Sequence, residues 1–292
     1  MAMNNAIPPE EMTAFSKFLR SNRIGTTLQQ SRRSVEQYEE LHGQITVEQL
    51  RRNFSEILIE CYQIETEIFI DIRNEIGGIW VHDLLEHANR RIEFPTISNL
   101  VDQAIAILNR DEPAERNLSD ATIILQNVND GLSQSMRQAA RPRAGGAFEN
   151  YLGIFFRILG FRFQPQVAIQ RGEILDFVFP NSTFFPARQH NAIWMECQTS
   201  LRDRFRLTIG KTNAQNERSA KFLATLAGLG LLNQGDVHDL DPDMIREIHQ
   251  HTPQSPWRVV ALRQVAEDRN SPTVISFEEF VNTVYPNVSG LW

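Results

Sequence analysis

Two short apolar runs each carry a single acid. Asp176 interrupts Ile174-Leu175-Asp176-Phe177-Val178-Phe179, and twenty residues later Glu196 closes Ile193-Trp194-Met195-Glu196. Apolar runs of this length fit strands buried inside a layered domain. An ionised carboxylate in such a run is costly unless something compensates it. Either each acid meets its own arginine, or the two share a task at neighbouring strand ends.

The residues around these runs predict the layers. A helix with Phe148, Leu152, Phe155 and Leu159 on one face stops at Gly160. Extended runs over Phe161–Ile169, Ile174–Phe179 and Ala192–Gln198 follow, then a polar helix reaching about Leu232. A last strand, Trp257–Leu262, precedes a short helix near Phe277–Val281. Helix, strands, helix, strand and helix make an α/β arrangement around one mixed β-sheet flanked by helices.

Upstream, the pattern is helical. Leu50, Phe54, Ile57, Leu58, Cys61, Ile64 and Ile68 recur at helical spacing over Thr46–Arg73, and Thr46 with Gln49 forms a capping box. Further helices are expected near Glu10–Arg20, Ile97–Leu108 and Asp120–Gln138. Gly77-Gly78 reads as a break, Asp111-Glu112-Pro113 as a turn, and Arg141–Gly146 as a loop. The expected division is a helical N-terminal domain, 1–138, for assembly or for closing around a ligand, and a catalytic and recognition domain, 139–292.

The net charge of −7 is unfavourable for a polyanionic partner, but its distribution is uneven. From Arg141 to Lys221 there are 12 basic and 6 acidic residues, a local +6 that leaves −13 on the remainder. That is the pattern of a basic groove in an acidic chain, or of chance clustering. Two cysteines, Cys61 and Cys197, form neither a disulfide framework nor a zinc-ligand spacing. No apolar run is long enough for a membrane span, and the start, MAMNNAIPPEEMTAF, lacks the pattern of a secretory signal. A bacterial cytoplasmic setting is expected.

Carboxylates on adjacent strand ends are a common seat for Mg²⁺, which prefers oxygen ligands and promotes phosphodiester hydrolysis. Asp176 and Glu196 therefore read either as metal ligands or as members of separate ion pairs.

Asp176…Glu196-Cys197-Gln198 resembles the PD-(D/E)xK nuclease signature, with Leu175 in place of the proline and Gln198 in place of the lysine. The segment Gln198-Thr199-Ser200-Leu201-Arg202-Asp203-Arg204-Phe205-Arg206 is similar to the K-x-x-x-R-(D/E)-R segment of the CCGG-family restriction endonucleases, which cut CCGG, CCNGG and CCWGG sites. Arg143-Ala144-Gly145…Phe148-Glu149…Leu152 resembles the helix opening an EcoRII-type catalytic domain. The resemblance covers residues 139–230 and, more loosely, the C-terminal strand and helix.

It implies a Mg²⁺-dependent type II endonuclease acting on double-stranded DNA and leaving a 5′-phosphate. Asp176, Glu196 and the Cys197 carbonyl would hold the metal. Arg202 and Arg204 would each grip a guanine bidentately while Asp203 accepts from cytosine amino groups. A solvated helix start with local salt bridges is the plainer reading of that triplet. Arg141, Arg143 and Arg206 would contact phosphates. Glu149 matches an additional acid carried by related nucleases, or is a glutamate favoured by the helix dipole.

The departure lies at the lysine. Relatives place lysine where Gln198 stands and glutamate 13 residues later; here Glu196 is already in place and Lys211 stands at the later position. Of three lysines, Lys17, Lys211 and Lys221, Lys211 is the candidate for the ammonium role, with Gln198 as the alternative. Trp80 is a base-stacking candidate or a core residue. Palindromic sites call for a homodimer at least, or a tetramer. Two rival functions keep the same residues: a repair or transposon nuclease that reads DNA structure, and a non-catalytic DNA-binding protein.

Overall fold

The computed structural model describes residues 7–23, 25–86, 88–168, 174–181, 192–199, 220–227, 240, 242–250 and 257–290. Six helices lead the chain: α1 Pro9–Arg23, α2 Thr27–His42, α3 Val47–Glu86, α4 Ala88–Glu93, α5 Pro95–Leu108 and α6 Ala114–Ile158. Six strands follow: β1 Gln164–Ala168, β2 Ile174–Phe179, β3 Ile193–Gln198, β4 Ala220–Thr225, β5 Trp257–Ala261 and β6 Val274–Ser276. They form one sheet in the order β1-β2-β3-β4-β5-β6. The first three strands pair antiparallel, whereas β3 to β6 run parallel, so the sheet is mixed as expected.

Local signals set several boundaries. The Thr46 N–H donates to Gln49 Oε1 at 2.8 Å and the Gln49 N–H returns to Thr46 Oγ1 at 3.2 Å, the capping box that starts α3. A second box, Thr26 with Gln29, starts α2. Gly160, at φ +73°, ends α6, and the Phe161 N–H bonds back to the Phe156 carbonyl at 2.9 Å. The turn at Asp111–Pro113 separates α5 from α6.

Three local expectations are overturned. The Gly77-Gly78 break is absent: α3 passes through it, and its non-helical residue is Asn53, at φ −133° and ψ 37°. Each helical glycine costs about 1 kcal/mol, but buried Ile76, Trp80 and Leu84 hold that stretch by packing. The loop at Arg141–Gly146 is instead part of α6; the helix formers Gln138-Ala139-Ala140-Arg141 lead into it. The polar helix expected to reach Leu232 gives way to β4 at Ala220–Thr225. Ala, Lys and Leu favour helix locally, but between two parallel partners this segment is a buried central strand.

The chain divides into two compact units. One, Met1–Arg33 with Ile64–Arg143, is helical. Its core sets Phe15 edge-on to Trp80 and Phe94, with ring centroids 5.9 and 5.0 Å apart. Trp80 is buried and its indole N–H donates to Asn129 Oδ1 at 2.9 Å. That is the core role rather than the base-stacking one.

The other unit, Ser34–Gln63 with Ala144–Trp292, holds the sheet. Phe156 on α6 packs on Phe177, Phe179 and Phe280 at 5.6, 5.3 and 6.1 Å. Phe54 stacks on Phe277 at 5.1 Å. Buried Glu278 accepts from the Ser55 N–H at 2.7 Å and the Ser55 hydroxyl at 3.0 Å, and pairs with Arg263 at 3.1 Å. These contacts tie residues 34–63 to the C-terminal part of the sheet unit.

Candidate active site

Side chains alternate across a strand, so Phe177 and Phe179 face α6 while Asp176 belongs to the opposite face of β2. The antiparallel register pairs Phe177 with Met195; one step beyond, Asp176 and Glu196 come to neighbouring positions of β2 and β3. The Cys197 N–H donates to Asp176 Oδ2 at 2.7 Å, which pins this carboxylate against the end of β3. The two sequence-predicted acids therefore meet at one place on the sheet. Glu196 is buried and Asp176 half-buried.

Glu149 reaches the same place from α6. A single nitrogen, Gln166 Nε2, donates to Glu149 Oε2 at 2.8 Å and to Asp176 Oδ1 at 3.0 Å. Gln166 lies between the Pro165–Phe177 and Val167–Leu175 pairs, level with Asp176. Its φ is +50°, unusual for a residue other than glycine. This left-handed step breaks the alternation of β1 and lets one amide serve both a helix carboxylate and a strand carboxylate. Sequence reasoning missed Gln166, because nothing in Gln164-Pro165-Gln166-Val167 announces a positive φ.

The electrostatics follow from this crowding. Burial, then the charge of Asp176, lifts the Glu149 carboxyl to about 7, against a smaller lowering by the Gln166 hydrogen bond. Burial also pushes the Cys197 thiol well above its usual range, and the charges of Asp176, Glu149 and Glu196 add to the effect. One thiol thus feels all three acids. A site holding this much negative charge favours a cation.

Mg²⁺ takes oxygen ligands and commonly needs only one or two protein carboxylates, keeping water for the rest. Asp176, Glu149 and Glu196 supply oxygens of that kind, so the donor set fits. Among the described residues, no group of three or more His, Cys, Asp or Glu side chains is arranged to close on one ion.

The remaining expected residues are distributed unevenly. Gln198 ends β3, half-buried, on the same strand face as Glu196. Lys221 is 2% exposed on β4 and in register with Trp194, which places it on the face that carries Glu196. Arg141 and Arg143 fall within α6, and their side chains are outside the described set. Arg202, Asp203, Arg204, Arg206 and Lys211 lie outside the described residues.

Residues 114–255 match the protein family described as EcoRII C terminal. No curated protein matches the sequence. Among solved structures, metal-depleted Ecl18kI in complex with uncleaved, modified DNA aligns with a TM-score of 0.74 at 19% identity, over 98% of this chain and 86% of that one. Its complex with uncleaved DNA aligns at 0.72, with 19% identity and the same coverages. The restriction endonuclease PspGI–substrate DNA complex aligns at 0.57 and 13% identity, over 92% of this chain and 94% of that one. At these identities the structures speak to the fold, which is that of restriction endonucleases, and among the described residues no helix is long and apolar enough to cross a membrane. The stretch that carries the acids thus matches the EcoRII C terminal family, and the fold along the chain is the one seen in the restriction endonucleases Ecl18kI and PspGI.

Proposed function

We propose that this protein is a Mg²⁺-dependent type II restriction endonuclease that cuts double-stranded DNA at a palindromic site containing CC and GG, of the CCGG or CCNGG/CCWGG kind. The carrying observation is the meeting of Asp176 and Glu149 at Gln166, with the Cys197 amide holding Asp176 beside Glu196. The complexes of Ecl18kI and PspGI with DNA support a duplex partner.

Asp176, Glu196 and the Cys197 carbonyl hold the metal in this reading. In an extended strand the N–H and C=O of one residue leave on the same edge, so that carbonyl lies on the edge whose amide bonds Asp176. A bound Mg²⁺ supplies polarisation of the scissile phosphate and a more acidic water. Glu149 binds a second metal ion through water, or orients a neighbouring base. Lys211 brings the ammonium that steadies charge developing on the phosphate, with Gln198 as the other residue suited to orient water.

Arg202 and Arg204 read guanines and Asp203 the paired cytosines, while Arg141, Arg143 and Arg206 contact the backbone. Catalysis and recognition are assigned to residues 139–292 and assembly or DNA embrace to 1–138. The chain acts as a homodimer, or a tetramer of two such dimers, in the bacterial cytoplasm, and leaves 5′-phosphate ends.

The test is digestion of a defined plasmid with Mg²⁺, followed by sequencing of fragment ends. Discrete fragments ending within one CC/GG-containing palindrome are expected. Cutting without regard to sequence, or a mobility shift with no cutting, would refute the assignment.

A further inference from the structure

The carboxylates at the site do not arrive from one element: Asp176 comes from β2 and Glu149 from α6, and a side chain from a third element, β1, bridges them. Gln166 is a neutral group, yet its Nε2 carries two hydrogens, and each is directed at a different carboxylate. The bonds are 2.8 and 3.0 Å, within the ordinary range for N–H donors.

The backbone adopts an unfavourable conformation to make this possible. At φ +50° a glutamine is strained by about 1 kcal/mol relative to the extended conformation of the rest of β1. Residues held in this region persist where the surrounding structure over-determines them, and such positions cluster at functional sites. Both oxygens of Asp176 are engaged, Oδ1 by Gln166 and Oδ2 by the Cys197 amide, so its rotamer is set from two strands at once.

We infer that Gln166 is a positioning residue: its amide fixes the metal-site carboxylate of Asp176 against Glu149 at one point, ready for a divalent cation. Two like charges so close would otherwise swing apart, and a cation would first have to gather them. Groups that hydrogen-bond to metal-binding side chains orient them, and their loss typically weakens metal binding about 10- to 100-fold. The inference rests on the metal-site reading given above, but concerns a residue outside the acids of that reading.

The experiment titrates Mn²⁺, followed by its electron paramagnetic resonance signal, into the full-length protein without DNA. Wild type is compared with Asp176→Ala, Gln166→Gly, Gln166→Ala and Gln166→Met, with a thermal melt of each. Glycine accepts the positive φ, so Gln166→Gly removes the amide while leaving the backbone conformation open to it. Gln166→Met keeps side-chain length and removes both N–H groups, so it reports on the amide if the glycine variant folds poorly. The expected result is Mn²⁺ binding weakened about 10- to 100-fold in all three Gln166 variants. The melt of Gln166→Gly should stay near wild type, and that of Gln166→Ala should be lower.

Wild-type affinity in Gln166→Gly and Gln166→Met, with binding lost in Asp176→Ala, overturns the positioning role alone. Equal Mn²⁺ binding by wild type and Asp176→Ala, including none in either, overturns the metal site beneath it.

Discussion

Two parts of the sheet unit hold a buried or half-buried glutamate, and they treat it differently. At the C-terminal end, Glu278 meets Arg263 and two donors of Ser55, a charge answered by a charge and by fixed hydrogen bonds. Near the start of β2, Glu149 meets the neutral amide of Gln166 and lies beside Asp176, and its carboxyl is held up at about 7. The first arrangement joins chain segments. The second gathers two acids on one neutral amide, an arrangement that suits a cation-binding site.

The most severe way to break this contrast is Asp176→Ala. Plasmid cleavage should fall by roughly 10³-fold or more, the scale of losing a group that organises developing charge, while a mobility-shift assay still shows DNA binding. Normal cleavage by this variant would remove the site from the place given to it.

Glu278→Ala should act oppositely, on folding rather than chemistry. It strands the two Ser55 donors, while Arg263 keeps Glu56 and the Arg52 carbonyl, at a cost of about 2 kcal/mol in denaturant unfolding. Mn²⁺ affinity of the folded protein should not change. A loss of stability under 1 kcal/mol would show that this network is incidental.

Glu149→Gln sharpens the comparison through pH. The folded pKa of about 7 lies above the ordinary glutamate value of 4.5, so the unfolded chain releases its proton first. Stability of the metal-free protein should therefore decline as pH rises from 4.5 toward 7, and the full penalty persists above 7. Glu149→Gln removes that penalty: it should be more stable than wild type by roughly 2 kcal/mol at pH 8 and indistinguishable below pH 4.5. A stability difference that does not vary with pH would contradict the raised pKa.

The smallest effect belongs to a helix start remote from the acids. Thr46→Ala removes one side of the capping box and should cost about 1 kcal/mol of stability, measured by the same denaturant titration, with cleavage unaltered.

Much of the fold was legible because local rules govern it. Alternation and apolar runs marked β2, β3 and β5, and Gly160 marked the end of α6. Where locality misled, packing was responsible. Gly77 and Gly78 stand inside α3 because their neighbours are buried, and Ala220–Thr225 is a strand because β3 and β5 flank it. Residues 34–63 read as part of a helical front half, yet they pack with residues 144–292. The site was legible at Asp176 and Glu196, where acids stand out against apolar strands. It was not legible at Gln166, whose surroundings look like any polar edge strand.

By itself, then, the order of residues determined which acids had to be compensated, because an acid in an apolar run carries its desolvation penalty wherever the run is placed. Only the tertiary structure decided how they are compensated. A strand register and one left-handed residue bring a glutamine of β1 to a glutamate of α6 and an aspartate of β2. Contacts among three separate elements are set by packing, which no short stretch of sequence encodes.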